Sequence, residues 1–247
     1  MLKKIFLFIL CLSISPYAFA GLSIEPSRTE ITLKPGESFN GFYVVKNDYN
    51  TPIDVVVSAK NWFMLPDNKD VEVKDWLNIS NKTVHLEPGQ SSEVPFEVNI
   101  SSGMEGVLVG MFSFTPKTKI KQNITMVVSV SVFATVSGTE KIAWGVTDIK
   151  FEKDKLQVSA EIGNSGNIHV RPQGFVKIMK KNKEIAKFEF IEGRPVYPGS
   201  ERVIVARHDQ GLKKGKYDVL VNIFAFDEEV EAQFKMKIGK SGEISVK

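Results

Sequence analysis

From Asn123 to Gly138 the chain reads NITMVVSVSVFATVSG, and every even position from Ile124 to Val136 is apolar. The odd positions are mostly small or polar. Period-2 alternation of this length predicts a long β-strand with one buried face, and its β-branched residues disfavour a helix. Shorter runs of the same kind recur along the chain. LSIEPSRTEITL, SFNGFYVVK, IDVVVS, VPFEVNI and GVLVGMFSFT precede it, with VKDWLNIS and TVHL as further extended segments. Turn signals fall between them, most clearly in LKPGE and LEPGQ, where proline presets one turn position and glycine supplies the positive φ of the next. No helical period competes.

Ser137–Glu140, SGTE, reads as a linker. After it come strand patterns at 142–151, 156–162, 170–179, 184–190, 202–206, 217–226 and 231–238, with a third Pro-Gly turn in VYPGS. The segments VVKND and EIGNSG each end a strand at an asparagine turn. Many short strands with regular turn signals predict an all-β protein of two tandem immunoglobulin-like sandwiches, residues 21–137 and 141–239, with a polar tail at 240–247.

The first twenty residues differ in kind. Lys3 and Lys4 precede an apolar run from Ile5 to Ile14, and Ala18-Phe19-Ala20 forms an A-x-A cleavage site, so residues 1–20 read as a secretory signal peptide. The run is too short to span a bilayer, and stable membrane insertion is not expected. The one cysteine, Cys11, lies inside this segment. The exported portion therefore has no disulfide, thiol nucleophile or thiolate metal site. Without Lys3 and Lys4 the 32 basic residues fall to about 30 against 29 acidic ones, and no basic face with interleaved aromatics suggests a nucleic-acid partner.

Candidate chemistry is sparse. His85, His169 and His208 have no second ligand at metal spacing, and no serine sits in a nucleophile-elbow context. Asp67–Asp70 lacks the glycine and distal glutamate of a calcium loop. The expectation is a non-enzyme with no metal and no cofactor. Trp62, Phe63 and Trp76 read as core and edge packing, and Lys117, Lys119 and Lys121 as solvated charges in a connection.

The first domain resembles the amino-terminal domain of periplasmic pilus-assembly chaperones of the PapD-like superfamily. The resemblance rests on LSIEPSRTEITL, the asparagine-ended strand VVKN, the DWLNIS…VHLEPGQ…VPFEVNI block and the long closing strand. The second domain, with GNSGNIHVRPQG, RPVYPGS and GLKKGKYDVLV, is similar to immunoglobulin-like modules of bacterial exported proteins. The resemblance implies a periplasmic chaperone for surface-fibre subunits, with a β-rich, pilin-like partner held by strand donation. The residues it points to are Val128, Val130, Val132 and Ala134, with Arg28 and Lys121 as candidate anchors for the subunit's terminal carboxylate. The chain departs from the family in having no lysine within 124–136 and in ending that strand with TVSG. The alternative is a structural or adhesive immunoglobulin-like module at the cell surface or in the periplasm, with its closing strand internal and binding on loops such as 61–70.

Overall fold

A computed structural model of the chain describes residues 21–62, 71–118, 126–152, 156–191 and 194–247. The signal-like segment 1–20 and Lys121 lie outside them. The described residues divide into two compact units. One holds residues up to 102 together with 109–134, and the other holds 103–108 and the residues from 135 onward.

The first unit contains β1 (Leu22–Glu25), β2 (Arg28–Leu33), β3 (Ser38–Asn47), β4 (Ile53–Asn61), β5 (Leu77–Ile79), β6 (Thr83–Leu86), β7 (Ser91–Asn99), β8 (Val107–Thr118) and β9 (Val128–Val136). The last two strands run on into residues that cluster with the second unit. One sheet has the order β1-β3-β7-β5 and the other β2-β9-β8-β4-β6. The first strand pattern is thus split, β1 pairing in one sheet and β2 in the other. This is the two-sheet Greek-key arrangement of an immunoglobulin-like domain. Tyr43 of β3 joins the two layers. Its ring lies 4.9 Å from Phe96 of β7, and 5.7 and 5.8 Å from Phe112 and Phe114 of β8. Aromatic pairs at such distances add to the stabilisation from burial alone.

The VKDWLNIS segment is not one strand. Val73–Asp75 forms a turn of 3-10 helix, closed where the Asp75 carboxylate accepts a hydrogen bond from the Glu72 N–H at 3.0 Å. β5 follows after Trp76. That indole is buried, and a Cβ on Gly110 would stand 3.0 Å from its Cζ2. Glycine at 110 is what allows the tryptophan to lie so close to β8.

The second unit contains β10 (Trp144–Phe151), β11 (Gln157–Asn164), β12 (Gln173–Lys180), β13 (Lys183–Glu189), β14 (Ser200–Arg207), β15 (Gly215–Ala225), β16 (Glu228–Ile238) and β17 (Ile244–Val246). Its sheets have the orders β10-β11-β14 and β13-β12-β15-β16-β17. Residues of both sheets, among them Ile162, Ile178, Val221 and Ile223, form one buried core. Lys181 and Asn182 close the β12–β13 hairpin with φ of 50° and 63°, the backbone that a two-residue turn between twisted strands requires. The last residues, expected as a polar tail, include a paired strand. Ile244 and Val246 of β17 pack on the core, and this apolar pair explains why the segment folds back.

All three Pro-Gly turns close in the same way. The N–H groups of Glu37, Gln90 and Ser200 donate to the carbonyls of Lys34, Glu87 and Tyr197 at 3.0, 3.0 and 3.1 Å. The two asparagine turns also match. Asn47 and Asn164 are buried at the ends of β3 and β11. The Nδ2 of Asn47 donates to the carbonyls of Thr51 and Leu86, both at 3.0 Å, and its Oδ1 accepts from the Tyr49 N–H. The Nδ2 of Asn164 donates to Ile168 and Val196 at 2.8 and 2.9 Å, and its Oδ1 accepts from Gly166. In each unit the glycine of the following Pro-Gly turn donates its N–H to that asparagine's own carbonyl at 2.8 Å.

Candidate functional site

The closing strand of the first unit is narrower than its sequence pattern. The strand runs from Val128 to Val136, and Met126 and Val127 precede it without strand pairing. Ser113 Oγ lies 3.1 Å from Ser129 Oγ, and the Val136 N–H donates to the Gly106 carbonyl at 2.8 Å. The first contact joins β8 to β9, and the second ties the end of β9 to the residue just before β8. On its other side β9 is paired with β2, so within the sheet it is an internal strand.

Its even-numbered face points into the core. Val130, Val132, Ala134 and Val136 are buried, and only Val128 at the start is half-buried. Of the four residues expected to enter a partner's groove, Val130, Val132 and Ala134 have no side-chain surface to offer while the sandwich is closed. Period-2 alternation shows that a face is buried, not what buries it, and here the unit's own second sheet does so. Upstream the burial reverses. Met126 is 56% and Val127 46% exposed, although they continue the same apolar sequence.

Arg28 opens β2, on the strand beside β9. Its Nε lies 2.8 Å from Oε1 of Glu30, two residues along the same strand face, with the side chains 47% and 37% exposed. Sequence reading singled out the arginine and missed its partner, although R-T-E at strand spacing places both charges on one face. Thr29 points the other way, and its hydroxyl lies 2.8 Å from the Tyr43 hydroxyl, tying β2 to the core. Burial pushes the Tyr43 phenol up to about 12, with the Thr29 hydrogen bond acting in the opposite sense. Of the two expected anchors, Arg28 is therefore adjacent to the closing strand, and Lys121 is outside the described residues.

His85 on β6 lies between two carboxylates, its Nδ1 2.7 Å from Asp54 Oδ1 and its Nε2 3.4 Å from Glu87 Oε1. The hydrogen bond to Asp54 first, and that to Glu87 second, raise its pKa above the ordinary imidazole value. Of the aromatics, Trp76 is buried, Trp62 half-buried, and Phe63 lies outside the described residues. Among the described residues no group of three or more His, Cys, Asp or Glu side chains converges as a metal site would. No helix among them is long and apolar enough to cross a membrane.

No family model and no curated protein sequence matches the chain. Among solved structures it is similar in layout to the YadV chaperone, at 13% identity and a TM-score of 0.46, with 87% of this chain and 98% of that one covered. A second likeness is to the SafB chaperone in complex with the Salmonella enterica SafA pilin, at 12% identity and 0.46, covering 88% and 96%. A third is to the class 5 fimbriae chaperone CfaA, at 13% identity and 0.49, covering 86% and 98%. At these identities the likeness concerns the arrangement of strands, and the functional reading has to come from the chain's own residues.

Proposed function

We propose that this chain is an exported, non-enzymatic assembly accessory that holds a β-rich, pilin-like subunit by adding a strand to it, without any cofactor. The donated strand is the approach to β9, with Met126 and Val128 as its apolar teeth in the described residues. One observation carries this reading: the apolar alternation of 124–136 runs past the buried strand. Val130 to Ala134 anchor the segment in the first unit, while Met126 and Val127 stand in solvent. Main-chain pairing along such a segment gives affinity, and alternate side chains filling a subunit's groove give specificity. The core-facing residues serve to hold the donor, and Val128 is the boundary between the two roles.

Arg28 is the carboxylate anchor in this reading. It exchanges Glu30 for the subunit's terminal carboxylate, and breaking so exposed an ion pair costs less than about 1 kcal/mol. The signal-like segment 1–20 directs the chain out of the cytoplasm, into the periplasm. Pull-down from the periplasm of the native host tests the proposal. Recovery of a short β-rich subunit, lost with Met126→Asp and reduced with Arg28→Ala, is the expected result. No such subunit, or unchanged recovery with both variants, overturns it.

The internal position of β9 between β2 and β8 favours a second reading, a structural or adhesive module that binds through loops such as 61–70. Replacing that loop with a Gly/Ser segment abolishes partner or surface binding under this reading and leaves it intact under the first.

A further inference from the structure

The outer edge of the second unit, away from β9, is only partly covered. β16 pairs with β15 along its whole length, Glu228 to Ile238. On its other side β17 covers only Met236–Ile238, with a further bonded pair in which the N–H groups of Lys235 and Lys247 donate to each other's carbonyls at 2.9 and 3.0 Å. Among the described residues no strand covers Glu228–Phe234 on that side.

β17 shows what an added strand does there. Met236 and Ile238, beside it, are buried, whereas Val230, Ala232 and Phe234 on the same face of β16 are half-buried. Across the gap between the sheets, the Phe151 ring of β10 lies 5.0 Å from Phe234, and Val146 and Ile149 of β10 are half-buried as well. The apolar flank of the sandwich is thus closed where β17 lies and open beyond it. Backbone direction alternates along a strand. Because Lys235 bonds to Lys247, the N–H and C=O groups of Glu229, Glu231 and Gln233 also point to the open edge.

The charge along this edge changes sign. Its covered end carries Lys235, Lys237 and Lys247, and its open end carries Glu228, Glu229 and Glu231. Glu229 accepts a hydrogen bond from Asn222 Nδ2, and Glu231 one from Gln233 Nε2 at 3.1 Å. Both carboxylates remain acceptors for a cation. A second copy of this chain is a poor occupant, since antiparallel pairing of two such edges about a twofold axis sets Glu231 against Glu231.

We propose that Glu228–Phe234 accepts an extended segment of another protein in line with β17, its apolar residues turned to the sandwich and its alternate basic residues turned to the glutamates. The probe is a capped eight-residue peptide of alternating valine and lysine, mixed with the full chain. The controls are a peptide of the same composition in two blocks and an alternating valine–glutamate peptide. Binding of the first alone is expected, with hydrogen exchange at the amides of Glu229, Glu231 and Gln233 slowed at least about tenfold. The variant E231K alters one exposed side chain on the face of the basic residues and keeps the fold, which circular dichroism verifies. It should weaken binding about tenfold or more at low salt. No binding at millimolar peptide, binding without protection of those amides, equal binding of the controls, or dimerisation of the chain through this edge would each overturn the proposal.

Discussion

Asn47 and Asn164 each bond backbone groups at the ends of strand pairing, within their own turn and on a distant segment. Each side chain donates twice and accepts once, and each ties the end of a strand to the carbonyl just before a Pro-Gly turn. Replacing either with alanine removes two donors to backbone carbonyls, although Val196 keeps the Val170 N–H at 2.9 Å, a change that costs about 1–3 kcal/mol. Equilibrium urea unfolding should show a loss of this size for Asn47→Ala in the first unit and a similar loss for Asn164→Ala in the second. A change below about 0.5 kcal/mol in either variant would count against the network. The sequence showed where these asparagines sit, through VVKND and EIGNSG, but not their bonding. Their acceptors lie up to 39 residues away in the chain, a distance that local patterns do not encode.

His85 sets a pH dependence of known sign. Its pKa is raised in the folded protein by Asp54 and then by Glu87. Its contribution is therefore complete below the ordinary value of 6.5 and is lost as pH rises through the folded value. An NMR titration should find Asp54→Asn moving the His85 midpoint down toward that ordinary value. A midpoint that does not move would show that the ion pair is not formed in solution.

At the scale of the element, β9 separates two meanings of one hydrophobic pattern. Alternation marked the strand and its apolar face, and the turns around it were equally plain because Pro-Gly chemistry is local. Which strands flank it is decided by distant segments, so its internal place between β2 and β8 was not readable. Nor was the partition of its apolar residues between core and solvent. The two halves should respond differently to charge. Val132→Asp places a carboxylate in a closed apolar core and should cost about 3 kcal/mol or more, visible as lost expression or a lower thermal midpoint. Met126→Asp alters an exposed residue and should shift stability by less than about 0.5 kcal/mol. Equal effects would mean that β9 is not divided at Val128. Arg28 follows the same logic: its place on a strand was legible, but its pairing with Glu30 was missed, and its proximity to β9 appeared only with the sheet order.

For the whole molecule, two all-β sandwiches were expected from strand and turn spacing, and the structure has that class; the division of the first strand pattern between two sheets was not expected. Its edges were the less legible part. Edge strands are where aggregation and partner pairing begin. The chain shortens some of them, as in β1, β5 and β6, and covers part of another with β17. None of this follows from hydrophobic period, because an edge is defined by the strand that is missing beside it.

The paired asparagines also determine how the molecule ages. Loss of ammonia from an asparagine requires its side-chain carbonyl to be attacked by the next residue's backbone nitrogen. Here both attacking nitrogens are engaged: Asp48 N–H donates to the Gly21 carbonyl at 3.0 Å and Ser165 N–H to that of Ala143 at 2.8 Å. Deamidation at residues 47 and 164 is thus confined to molecules whose strand end has opened. Peptide mass spectrometry after prolonged storage should find both sites intact in the folded protein, and modified separately under conditions that loosen one unit. Each sandwich carries its own chemical clock, started only when it comes apart.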